Sequence, residues 1–71
     1  MSPVSEFCLS RGIDGYIKSA FSAYVKSVCA DRYLLHSDAD TLVLLIGKLT
    51  QAQVDDLWVE FVNDLKKYLT S

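Results

Sequence analysis

Apolar side chains fall at positions 54, 57, 58, 61, 62, 65, 68 and 69, the three-and-four spacing that lines up one face of an α-helix. At 100° per residue they span an arc of about 140°, the width of a core-facing helix surface. Asp55, Asp56, Glu60, Asn63, Asp64 and Lys67 populate the other side. Thr50 stands three residues before Gln53, so hydroxyl and side-chain amide can each serve the other's backbone N–H in a capping box. The pattern predicts a helix from Gln51 to Leu69.

A second stripe comprises Tyr16, Ile17, Ala20, Phe21, Tyr24, Val25 and Val28, with Lys18, Ser19, Ser22 and Lys26 opposite. Asp14 is placed to cap it. The helix is expected to end near Ala30, because Asp31 and Arg32 fall where the stripe needs apolar side chains. Ahead of it, Ser2, Pro3 and Glu6 mark the start of a short helix that Gly12 stops. Its apolar positions are Val4, Phe7 and Cys8, with Leu9 alongside.

The stretch from His36 to Gln53 admits two readings. As a hairpin, "RYLLH" pairs with "TLVLLI" across "SDAD". Neither run alternates, however, and both faces of "TLVLLI" are apolar, which a lone two-stranded ribbon cannot bury. As a helix, Ser37 or Asp38 caps the start, Asp40 sits in the first turn, and Leu42, Leu45, Ile46 and Leu49 form one stripe. Val43 and Leu44 lie off it, so this helix is apolar almost all round and belongs at a centre or an interface. The helical reading joins it to the last helix as an antiparallel hairpin with "GKLT" as the corner. The expected architecture is therefore all-α, a small bundle of three main helices plus a short N-terminal one, forming a single domain over 1–71. The alternative is α+β, in the order α-β-β-α with a central hairpin at about 32–46.

Composition narrows the function classes. The chain has 71 residues, 51% hydrophobic and 23% charged, the composition of a folded domain. Area scaling gives about 4,400 Å² for a compact monomer of 7.9 kDa, near the lower size limit for a self-sufficient core. Further burial against a second chain is then a large relative gain. The longest apolar run, Leu42 to Ile46, is far short of a membrane span. "MSPVSEFCLSRG" is a poor secretion signal, so a cytoplasmic protein is expected, with Cys8 and Cys29 reduced and buried. A net charge of −2, with Lys66 and Lys67 as the one adjacent basic pair, disfavours nucleic-acid binding.

No enzymatic signature emerges. His36 beside Asp38 or Asp40 has no placed nucleophile and reads as a loop or cap residue. Cys8, Cys29 and His36 share no metal-ligand spacing, and Gly12, Gly15 and Gly47 form no phosphate-binding loop. The pairs Asp38/Asp40 and Asp55/Asp56 lack the further oxygen ligands of a calcium loop. No cofactor, metal or small-molecule substrate is expected.

Excess apolar side chains remain. Val43, Leu44 and Val59 fall off the stripes, and Tyr33, Leu34 and Leu35 fall in a connection. Exposed apolar clusters mark association sites. The expected function is thus a non-enzymatic protein-interaction module, self-associating as a homo-oligomer and acting as a small adaptor or inhibitor through an apolar and acidic helix surface. Tyr33, Leu34, Val43, Leu44 and Val59 are the candidate contacts. The competing reading is a helix-turn-helix DNA-binding regulator: "TLVLLIGKLTQAQVDDLW" has that outline, with Gln51 and Gln53 for base edges, but Asp55, Asp56 and Glu60 then face phosphates.

Overall fold

The computed structural model describes residues 2–33 and 39–70, the side chains of Tyr33 and Thr70 excepted. The described residues form four helices and no strand: α1 (Pro3–Arg11), α2 (Gly15–Tyr33), α3 (Ala39–Gly47) and α4 (Gln51–Thr70). The hairpin alternative at about 32–46 is not supported, since 39–47 is helical.

The ends of α1 follow local chemistry. The Ser5 N–H donates to Ser2 Oγ at 3.1 Å, and Pro3 sits where no helical N–H is required. At the other end Gly12 adopts φ 68°, the left-handed conformation that glycine takes without Cβ strain. The Gly12 and Ile13 N–H groups return to the carbonyls of Leu9 and Cys8, and Ile13 packs back on the core. The capping box of α4 forms as expected: the Thr50 N–H donates to Gln53 Oε1 at 2.9 Å and the Gln53 N–H to Thr50 Oγ1 at 3.1 Å.

Two expectations need correction. Helix α2 does not stop near Ala30 but continues to Tyr33. Asp31 and Arg32 are both exposed, and Arg32 Nη2 reaches both carboxylate oxygens of Glu60 at 2.9 and 3.0 Å. The helical hairpin across "GKLT" is only half realised. Lys48 and Leu49 turn tightly, their N–H groups donating to the carbonyls of Leu45 and Ile46. Beyond that corner α3 lies on α2 and partly on α1, whereas α4 packs on α1 and α2, so the two sequence neighbours share almost no packing.

The core is supplied by three helices. Val4, Phe7 and Cys8 of α1, Phe21, Val25 and Cys29 of α2, and Val54, Leu57 and Phe61 of α4 are buried. Phe21 is the centre of an aromatic cluster, its ring 5.9 Å from Phe7, 5.5 Å from Phe61 and edge-on to Trp58 at 5.1 Å. Each such pair adds about 0.5–1.5 kcal/mol beyond its area. Helix α3 has no buried residue; Leu42, Leu45 and Ile46 are only partly covered.

Candidate functional site

The candidate surface begins with α3. One face of this helix rests on α2, as its stripe predicts, and the other carries Val43 and Leu44, 63% and 66% exposed. Beside Val43 runs an open groove of about 400 Å³ lined by Val4, Val25 and Ile46, with Ser22 and Lys26 of α2 on its rim. Its walls are mainly apolar, and its volume suits insertion of one or two large side chains from a partner.

Val59 is also exposed, at 51%, but on α4 among Asp55, Asp56, Glu60 and Asn63. Since α3 and α4 diverge, Val43 and Leu44 stand together and Val59 belongs to a different helix surface. Leu34 lies outside the described residues, as do Leu35, His36, Ser37, Asp38 and the side chain of Tyr33.

The acidic side of α4 is partly neutralised from within. Arg11 Nη2 lies 3.2 Å from Asp55 Oδ1 while its guanidinium covers the Phe7 ring at 4.8 Å. Arg32 holds Glu60, and the Tyr24 hydroxyl donates to Asp64 Oδ2 at 3.2 Å. Burial raises the Tyr24 phenol above its ordinary value; the Asp64 charge and hydrogen bond and the Glu60 charge add to this, and Arg32 opposes it. Asp56 and Glu60 edge a small cleft of about 110 Å³ of mixed lining, with Cys29, Leu49 and Leu57 beside Arg32 and Gln53.

Both cysteines are free and buried. Burial pushes their thiols up from the ordinary value, with partial relief of Cys8 by Lys18 and of Cys29 by Arg32. Such thiols are poor nucleophiles. Among the described residues no three His, Cys, Asp or Glu side chains are grouped to hold a metal ion, and no helix is long and apolar enough to cross a membrane. The glutamines of the DNA reading are both engaged: Gln51 Nε2 donates to the Pro3 carbonyl at 3.0 Å, and Gln53 closes the capping box.

Further exposed apolar side chains lie at the ends of the stripes of α2 and α4. Tyr16 and Ile17 at the start of α2, and Leu65, Tyr68 and Leu69 at the end of α4, occupy stripe positions that imply burial, yet all five are exposed. Compared with protein families, curated proteins and solved structures, the chain matches none.

Proposed function

We propose that this chain is a non-enzymatic protein-interaction module that self-associates and acts as a small adaptor or inhibitor. The reading is carried by one observation: the most apolar helix, α3, buries no residue and presents Val43 and Leu44 beside an apolar groove. A monomer that leaves the outer face of such a helix exposed gains apolar burial by meeting another polypeptide. The free, buried thiols fit a reducing compartment, and we place the chain in the cytoplasm.

Sedimentation velocity over a hundredfold concentration range tests the self-association. The apparent mass is expected to rise from 7.9 kDa toward a dimer. A monomer at every concentration overturns it.

A further inference from the structure

The outer face of α3 has a stripe of its own. Asp40, Val43, Leu44 and Gly47 stand at i, i+3, i+4 and i+7, within an arc of about 100°, opposite the inward stripe of Leu42, Leu45 and Ile46. All four are exposed. This stripe is acidic at the N-terminal end of the helix, apolar in the middle and bare at the C-terminal end, where a Cβ on Gly47 would meet nothing within 4 Å. Val43 and Gly47 also line the groove of about 400 Å³, so stripe and groove are one continuous surface. Lys26 of α2 lines the same groove, and Lys48 follows Gly47 in the chain; both are exposed. The surface thus has an acid at one end and two bases toward the other. The ion pairs of Arg11 with Asp55 and of Arg32 with Glu60 use none of these three charges.

We propose that this surface is the self-association site, and that its occupant is α3 of a second copy, packed antiparallel about a two-fold axis beside Val43 and Leu44. This location rests on the self-associating reading above and names the surface and pairing it uses. Charge complementarity selects the occupant. With the axis at the middle of the stripe, Asp40 of each copy lies opposite Gly47 of the other, where Lys26 and Lys48 supply positive charge. Antiparallel packing also sets the positive end of one helix dipole against the negative end of the other. A parallel pair instead stacks Asp40 on Asp40 and aligns the two dipoles.

Shape agrees with charge. Gly47 has no side chain to hold the incoming helix away, and the space around it is open. The same two-fold brings Val43 of the second copy to the mouth of the groove and sets Leu44 against Leu44, so the exposed apolar residues of α3 cover one another. A contact in which each residue meets its own counterpart is closed and stops at the dimer. Helix α3 has nine residues and is about 13 Å long, which puts the contact at the small end of interface sizes. The dimer is therefore expected to dissociate in the micromolar range.

The test compares three full-length chains by sedimentation velocity: wild type, Val43→Ser with Leu44→Ser, and Val59→Ser on the separate surface of α4. Circular dichroism and Trp58 fluorescence check that each is folded. The α3 variant is expected to weaken the dimer by at least about thirtyfold, and Val59→Ser by less than about threefold. Asp40→Lys, and Lys26→Glu with Lys48→Glu, are each expected to dimerise about tenfold more weakly alone and to recover when mixed, because the mixed pair restores opposite charges at both ends. A wild-type dimer that survives the α3 substitutions, or one lost on Val59→Ser, overturns the location and leaves self-association standing. Charge variants that do not recover on mixing overturn the antiparallel pairing. A wild type that stays monomeric at every concentration overturns both the location and the self-association. Wild-type monomer that sediments with phosphatidylserine vesicles, and loses this with Val43→Ser and Leu44→Ser, makes a membrane surface the occupant and overturns the dimer.

Discussion

Helices α1 and α3 have the same length, nine residues, and opposite fates. The first is a mixture of serine, glutamate and arginine with a few apolar residues, yet it places Val4, Phe7 and Cys8 in the core. The second is almost wholly apolar and places none. Position explains the contrast. Helix α1 packs on α4, where Phe7 is buried against Phe21 and Trp58, and exposed contacts from Gln51 to the Pro3 carbonyl and from Arg11 to Asp55 flank that packing. Helix α3 lies along α2 on the outside of an interior already filled. The affinity of a side chain for a core is thus a separate matter from its access to one.

Substitutions can break this contrast, starting with the largest effect. Phe7→Ala removes a ring that is 2% exposed and is expected to cost about 3–5 kcal/mol, a large share of the stability of so small a domain. Denaturant titration followed by Trp58 fluorescence measures it; a loss below about 1 kcal/mol would show that α1 is not part of the core. Ile46→Ala on α3, half covered, is expected to cost roughly 1–2 kcal/mol in the same titration. Ser2→Ala deletes the cap of α1 and is expected to cost about 1 kcal/mol. Leu44→Ser, on the open side of α3, is expected to change monomer stability by less than about 0.5 kcal/mol at high dilution. An Ile46 cost equal to that of Phe7 would erase the distinction between the helices.

Alkali gives a further, smaller test. The thiols of Cys8 and Cys29 and the phenol of Tyr24 are harder to ionise when folded, so the native state keeps protons that the unfolded chain releases. Stability is therefore expected to be level below the ordinary thiol value of 9.0 and to fall as pH rises past it, then past the ordinary tyrosine value of 10.0. Melting temperatures recorded from pH 8 to 10.5 measure the decline, and Cys8→Ala with Cys29→Ala is expected to remove its first part. A profile that rises over this range would contradict the buried environment.

Much of this architecture could be read along the chain because the signals are local. Ser2 and Gly12 bracket α1, Thr50 and Gln53 open α4, and the leucine stripe identifies α3 as helical. The exposure of Val43, Leu44 and Val59 was legible for the same reason, since each falls off a stripe. What periodicity does not carry is position along a helix axis. It identifies which side of α4 faces inward but not that the covering helices end near Phe61, so Leu65, Tyr68 and Leu69 look like core. Nor does it carry long-range pairing, which is why the grip of Arg32 on Glu60 and the divergence of α3 from α4 had to be seen in three dimensions.

Among the described residues the nine buried side chains come from α1, α2 and α4, and α3 adds only the partly buried Leu42, Leu45 and Ile46. Opening of α3 alone, which uncovers half-buried leucines and no fully buried side chain of its own, is expected to take less free energy than global unfolding. Amide hydrogens of α3 are then expected to exchange with solvent faster than those around Val25 and Leu57 in a native-state exchange measurement. The inner face of α3, Leu42, Leu45 and Ile46, is thereby the apolar surface that the rest of the fold depends on least.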